Sequence, residues 1–476
     1  MVKAEFFDQY FPENPTEDQR RAFRTFADFL NSTESFSTYV LKGYAGTGKT
    51  TIISTLVRAL PQLKMRTILL APTGRAAKVI TSYSQKAAFT IHKKIYRKRV
   101  AGTPEMDFDL AENKHTNTLF IVDEASMISN ERMAFSRQSL LEDLIEYVYS
   151  GENCRLMLVG DTAQLPPVGL VESPALSLKT LSTLFSLKLF GVELREVVRQ
   201  HKESGILYNA TTIRNQLLRA EEQASASFPQ LKVKGFKDTY RMTGEKLIEG
   251  LEYAYSKYGM EETLVVCRSN KNANLYNQNI RNRVLYREEE LTGGDYIMIV
   301  RNNYFWTGGE ENQSFIANGD MAKVRRVGNI HEQFGFRFAD VTLEFIESVH
   351  NEPLSCRVLL DTMYSDSPNL TREDQNKLFE AVMADYEHLP TKKERIQALK
   401  QDPYYNALQI KFAMAVTCHK AQGGQWAAVF VDQGYLTEEM VDTEFMRWLY
   451  TACTRATNEL FLLNFSDQFF GEQHVP

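Results

Sequence analysis

The sequence predicts an α/β protein with two parallel-sheet domains, each interrupted by an antiparallel element. Three observations lead there. Short apolar runs alternate with helical periodicity through the first two hundred residues. A second set of such runs begins near residue 260. Between about 290 and 405 the pattern changes to short strands separated by glycine turns. At 476 residues the chain is too long for one hydrophobic core.

In the first domain, Tyr39 to Leu41, Thr67 to Ala71, Leu119 to Val122 and Arg155 to Val159 read as strands. Each is mostly apolar and stops at a polar loop, as strands buried on both faces of a parallel sheet do. This domain is expected over 1–200. A polar stretch from Arg97 to Asn117, with Gly102 and Pro104 at its middle, predicts a hairpin insertion over about 95–117. Thr263 to Cys267, Ala428 to Val431 and Leu460 to Leu463 are strands of the second domain, with helices over Lys271 to Leu285 and Thr443 to Arg455. Its expected limits are 201–295 and 403–476. The insertion over 296–402 holds strands at Tyr296 to Val300, Met321 to Val327, Phe336 to Phe345 and Arg357 to Leu360, followed by a charged helical stretch from Thr371 to Lys400.

A net charge of −5 and a pI near 6.0 argue against a protein that coats nucleic acid by bulk charge, but leave room for a basic groove. The five cysteines, at 154, 267, 356, 418 and 453, form no CxxC pair or metal spacing and read as reduced buried thiols. No apolar run reaches a membrane span, and the N-terminus lacks a signal-peptide pattern, so the expectation is a cytoplasmic protein with no membrane contact.

Gly43-Tyr-Ala-Gly-Thr-Gly48-Lys49-Thr50 matches GxxxxGK[ST], between a strand and a helix. Gly43, Ala45, Gly46, Thr47 and Gly48 would wrap backbone N–H groups around phosphate, and Thr51 continues the positive helix end. Lys49 would reach the β- and γ-phosphates, and Thr50 would hold Mg²⁺. Leu119 to Val122 ends in Asp123-Glu124. Asp123 is the expected second Mg²⁺ carboxylate, and Glu124 the general base for the attacking water. An apolar run ending in two acids is common by itself; beside a phosphate loop it becomes the expected partner.

With these motifs and the ones that follow them, nearly the whole chain resembles superfamily 1 helicases of the RecD-like and Dda-like branch. Phe11-Pro-Glu-Asn-Pro-Thr16-Glu-Asp-Gln19 is similar to the adenine-reading segment, in which Gln19 would use both ends of its amide. Ala71-Pro72-Thr73-Gly74-Arg75 resembles motif Ia, and Phe89-Thr-Ile-His92, followed by Lys93, the next DNA-contacting segment. Taken alone, Phe89 reads as core. Gly160-Asp-Thr-Ala-Gln164-Leu-Pro-Pro-Val168 is close to motif III, with Gln164 sensing the γ-phosphate. Leu194 to Gln200 resembles motif IV, where Arg199 would neutralise phosphoryl charge. Leu449 to Ala456 resembles motif VI, with Arg455 as arginine finger. Val416-Thr417-Cys-His419-Lys-Ala421-Gln422-Gly423 resembles motif V. There Thr417 and His419 would touch DNA, and Gln422 and Gly423 the nucleotide. Ala421 and Gln425 stand where the pattern often has Ser and an acid.

The resemblance implies two RecA-like motor domains, a small hairpin insertion (1B) in the first and an SH3-like antiparallel β insertion (2B) in the second. It implies an ATP- and Mg²⁺-dependent DNA helicase moving 5′ to 3′ on single-stranded DNA. The expected partners are single-stranded DNA and ss/ds junctions, with replication or repair proteins as candidates, and the expected state is a monomer without an appended nuclease, primase or zinc domain. The basic stretch Lys93 to Arg99 leads into the hairpin, whose Met106 and Phe108 are candidate wedges. The rival readings are a nucleic-acid-stimulated ATPase that separates no strands, and a binding module with a vestigial nucleotide site.

Overall fold

A computed structural model describes residues 1–98, 108–132, 138–198, 203–223, 227–307, 316–346 and 352–471. The chain runs through β1 (Ser37–Gly43), β2 (Arg66–Ala71), β3 (Ala88–Thr90), β4 (Tyr96–Lys98), β5 (Phe108–Leu110), β6 (Thr118–Val122), β7 (Arg155–Gly160) and β8 (Lys188–Leu194). All but β4 and β5 form one parallel sheet in the order β3-β2-β6-β7-β1-β8. Alternate residues of each central strand point to opposite cores. Tyr39, Leu69, Ile121 and Met157 pack on one face, Val40, Leu70, Phe120 and Leu158 on the other.

Helices cover both faces. The helix Glu17–Asn31 buries Ala22, Phe23, Phe26 and Ala27 at helical spacing, and starts in a reciprocal capping box between Thr16 and Gln19. The helices Lys49–Ala59 and Gly74–Ser84 share its face; Leu140–Tyr149 and Leu178–Leu184 cover the other. Truncating a fully buried side chain here, such as Ile121→Ala, removes about 2–5 kcal/mol.

The expected hairpin is present as the antiparallel pair β4–β5, with Tyr96 opposite Leu110. Its tip, including Met106, lies outside the described residues.

The second domain contains β9 (Thr239–Met242), β10 (Thr263–Cys267), β11 (Tyr296–Ile299), β12 (Met321–Gln333), β13 (Phe336–Phe345), β14 (Leu354–Leu359), β15 (Leu408–Phe412), β16 (Ala415–Thr417), β17 (Trp426–Asp432) and β18 (Ala456–Leu463). Its parallel sheet has the order β16-β10-β17-β18-β9, and β11 to β15 close into a barrel. The barrel corrects one expected boundary. Its last strand, β15, lies past residue 402, in the segment assigned to the parallel sheet. It pairs antiparallel with β11 and parallel with β14. A parallel pair needs a long crossover, and the helices Arg372–Asp385 and Lys392–Lys400 supply it.

Val324, Val341, Val358 and Ile410 of the barrel share one core with Val265 and Phe430 of the sheet. At the seam, Asp295 is fully buried. It accepts from Arg281 Nε and Nη2 at 3.1 and 3.0 Å and from Arg287 Nη1 at 2.6 Å. The opposite face of the sheet packs under the helices Gly205–Gln223 and Thr443–Cys453, and Tyr44, Ala163 and Leu165 of the first domain enter that core.

Candidate functional site

A cleft of about 860 Å³ separates the two domains, a size that suits a nucleotide. A depression of about 970 Å³ beside Thr212, Arg219 and Gln468 is larger, but it gathers none of the predicted residues.

β1 ends at Gly43, and the loop beyond it turns through Gly46 and Gly48, whose φ values of 75° and 87° favour glycine. Ala45, Gly46, Gly48, Lys49, Thr50 and Thr51 line the cleft. Gly43 and Thr47 support it from behind, where Thr47 Oγ1 donates to the Tyr44 carbonyl at 2.8 Å. Lys49 Nζ donates to the carbonyls of Gly43 at 2.6 Å and Tyr44 at 3.0 Å, and lies 3.9 Å from Asp161 Oδ2. Gln19 is buried against this loop. Its Oε1 accepts the Thr16 N–H at 2.9 Å and its Nε2 donates to the Thr47 carbonyl at 3.1 Å. Each end of the amide thus holds one intramolecular bond and keeps one bonding position over.

Asp123 and Glu124 follow β6 into the same cleft. Asp123 accepts from the Tyr83 hydroxyl at 2.8 Å and from the Glu124 N–H at 2.9 Å. Burial raises both carboxyls above their usual range, while the Arg455 charge draws Glu124 back down. An acid tuned upward by burial is the better proton acceptor near neutral pH. Glu124 has φ 51°, a left-handed turn that costs about 1–3 kcal/mol for a residue with a side chain. The Thr50 hydroxyl and Asp123 carboxylate are hard oxygen donors. Among the described residues no group of three His, Cys, Asp or Glu side chains gathers to hold a metal ion. The pair therefore suits a cation such as Mg²⁺, which takes its other oxygens from phosphate and water.

Gln164 lines the cleft, and its buried Oε1 has no protein partner, an acceptor in want of a donor. Arg455 enters from the second domain. It is 3 % exposed and is held by the Thr451 carbonyl at 3.0 Å, the Gly424 carbonyl at 3.1 Å and Thr454 Oγ1 at 3.2 Å. Arg199 lies outside the described residues; its neighbour Val198 lines the cleft.

Two residues expected at the nucleotide, Gln422 and Gly423, do not line the cleft. Gln422 turns away and donates to the Leu165 carbonyl at 2.6 Å. Gly423, at φ 71°, packs against the first domain, where an added Cβ would come within 2.9 Å of Ala76 and 3.3 Å of Thr73 Oγ1. The left-handed turn at Gly423 brings Gln425 to the cleft wall instead.

The residues expected to contact DNA fall into two patches. Pro72 to Arg75 follow the carboxyl end of β2, Phe89 to Lys93 run from within β3 past its carboxyl end, and Thr417 ends β16 with His419 just beyond. Thr73 Oγ1 caps its helix by accepting the Ala76 N–H at 3.2 Å, and Gly74 opens that helix. Arg75 bridges the domains: it donates to the Gln425 carbonyl at 2.8 Å and stacks 3.9 Å over the Trp426 ring. Phe89 is 39 % exposed, against its bland reading as core. Lys93 is exposed, whereas burial pushes the His92 imidazole down to about 4, so it is neutral near pH 7. His419 is half-buried and likewise shifted down by burial. Thr417 precedes the helix Cys418–Ala421 without a side-chain cap bond.

Sequence reading missed the contacts of the helix Thr443–Cys453 across the cleft. Arg447 donates to the Thr162 carbonyl, Tyr450 to Asp161, and Thr451 Oγ1 accepts the Leu165 N–H. Their i, i+3, i+4 spacing was the available signal. All five cysteines are buried free thiols, and among the described residues no helix is long and apolar enough to cross a membrane.

An AAA domain model matches residues 14–227, and a UvrD-like helicase C-terminal domain model matches residues 412–463. An uncharacterized protein of Acanthamoeba polyphaga mimivirus is 24% identical over 91% of this chain and 96% of its own. The ATP-dependent DNA helicase Dda of Enterobacteria phage T4 is 23% identical over 94% of this chain and 98% of its own. A solved structure of Pif1 helicases acting at forked double-stranded DNA aligns over 97% of this chain and 95% of its own, at 16% identity and a TM-score of 0.47.

Proposed function

We propose that this chain is a superfamily 1B helicase of the RecD-like and Dda-like branch, and that it hydrolyses ATP to move along single-stranded DNA and part a duplex ahead of it. The observation that carries this reading is the cleft itself. It gathers Lys49, Glu124 and Gln164 from one domain and Arg455 from the other. A triphosphate seated there touches both domains, and losing its terminal phosphate removes the bridge.

Each residue has a task. Lys49 holds the β- and γ-phosphates. Glu124 accepts a proton from the attacking water, and burial raises its affinity for that proton. Gln164 orients the attacking water, whose O–H donates to its unpartnered Oε1. Arg455 neutralises charge on the phosphoryl group in transfer. Thr50 and Asp123 would hold Mg²⁺, which supplies charge neutralisation on the phosphate oxygens. Phe89, exposed on the short strand β3, offers a stacking face to a base, and Thr417 and His419 offer donors to the backbone. The direction of travel is 5′ to 3′, after the resemblance, and the working unit is a cytoplasmic monomer. Single strands, ss/ds junctions and proteins of replication or repair are its partners.

Phosphate release with and without single-stranded DNA, paired with strand displacement on duplexes bearing either overhang, tests the reading. Stimulated release and displacement from the 5′ overhang are expected. Stimulated release without displacement would leave a translocase that parts no strands, and no release would leave a binding module.

A further inference from the structure

The hydroxyl of Tyr450 stands where the second domain meets the phosphate loop. It accepts the Ala45 N–H at 2.8 Å and donates to Asp161 Oδ2 at 2.7 Å. A phenol has one proton to give, and an amide N–H can only donate, so the direction of both bonds is fixed. Burial and the Asp161 charge both keep the phenol protonated, hence a donor. Asp161 Oδ2 also lies 3.9 Å from Lys49 Nζ, and Oδ1 accepts the Ala163 N–H at 2.9 Å.

The same helix face holds the rest of this loop. Arg447 donates to the carbonyls of Thr162 and, at 3.5 Å, Gln164; Thr451 Oγ1 accepts the Leu165 N–H at 2.9 Å. One face of a rigid helix therefore grips both the loop that carries Gln164 and, through Tyr450 alone among the described hydrogen bonds, the loop that carries Lys49. The helix runs on into Arg455. None of these bonds survives separation of the domains. The Tyr450 ring would fill its space equally well without oxygen, so packing alone gives no reason for a buried hydroxyl with both its bonding roles in use.

We propose that Tyr450 is a positioning residue for hydrolysis: it ties Ala45 and Asp161 to the second domain, so that Lys49 takes its working place only as Arg455 enters the cleft. Tyr450 touches no reacting atom and acts through Ala45 and Asp161. The proposal rests on the cleft being an ATP site.

Tyr450→Phe, Asp161→Asn and the double variant test it. At saturating single-stranded DNA, Tyr450→Phe should lower kcat by about tenfold, the scale of a hydrogen bond to a charged group, and raise KM for ATP in step with weaker binding of the triphosphate. The double variant should fall no further than the worse single one, because both remove the same link. Calorimetric titration gives a readout without turnover. Tyr450→Phe should weaken binding of a non-hydrolysable ATP analogue, which bridges the domains, and leave ADP binding within about twofold. The proposal is overturned by unchanged kcat, by losses that multiply in the double variant, or by equal loss of analogue and ADP affinity, the mark of general damage. A parent protein without DNA-stimulated turnover would overturn the helicase reading instead, and the titrations would still decide the role of Tyr450.

Discussion

The two motor domains share a parallel sheet between helices, yet they meet the cleft from opposite ends. In the first, the residues of the cleft follow the carboxyl ends of β1, β6 and β7: Lys49, Glu124 and Gln164. In the second, they precede or open strands at the amino ends: Asp238 before β9, Gln425 before β17, Arg455 before β18. The carboxyl end of β16 is left for Thr417 and His419. The first domain can thus assemble a phosphate site from its own loops, while the second contributes only when docked. The second domain also presents the cleft and the Thr417–His419 patch at opposite ends of one rigid sheet, so a rotation set at one end is felt at the other.

The sharpest way to break this comparison is to disable one contribution from each side. Arg455→Lys keeps a charge but loses the planar fork. It should lower kcat by about 10³-fold or more while the first domain still binds nucleotide, as stopped-flow turnover and titration would measure. Glu124→Gln should cost about 10²-fold or more, again with nucleotide retained. If it abolished binding instead, Glu124 would be a structural part of the loop rather than the base.

A stability experiment sharpens the contrast in how the domains are held. The first rests on two apolar layers; the second adds the buried Asp295 with Arg281 and Arg287. Asp295→Ala leaves two cations without their partner and should destabilise by about 3–5 kcal/mol, read as a lower denaturant midpoint. The melting of Trp426 and Trp448 fluorescence should follow that loss. An unchanged midpoint would mean that the barrel seam is held by its apolar core alone.

The smallest effect is a drift with pH. The folded pKa of His92, in the first domain, is about 4 against the usual 6.5, so its contribution is complete above 6.5 and is lost as pH falls towards 4. The folded pKa of Lys411, in the barrel, is about 8 against 10.5, so stability rises as pH climbs from 8 towards 10.5. His92→Asn should flatten the acid limb and Lys411→Met the alkaline limb, measured by thermal melts across pH. A wild-type limb surviving either substitution would remove that residue as its cause.

Legibility in the sequence follows burial. Long apolar runs such as Leu119 to Val122 announced their strands because both faces are covered. The edge strands β8 and β9 have half-exposed residues and no apolar run, and β3 and β16 are three residues long. β15, Leu-Gln-Ile-Lys-Phe, gave no sign that its partners lie in the barrel. At the site, contiguous motifs placed Lys49, Glu124 and Gln164 in one cleft because strand ends are local. Arg75, Gln422 and Tyr450 depend on partners far along the chain, and motif spacing carries no record of which way a left-handed glycine turns its neighbour.

The order β16-β10-β17-β18-β9 bears on how the polypeptide is born. The ribosome releases every strand of the first sheet before residue 200, so that sheet can close early. β9 and β10 emerge next, but they are not neighbours: β17 and β18, made last, must slide between them. Until then both wait with bare hydrogen-bonding flanks while the barrel is made. A nascent chain halted before Trp426 would hold one finished lobe and one open sheet, and the open sheet is where a chaperone would have to bind.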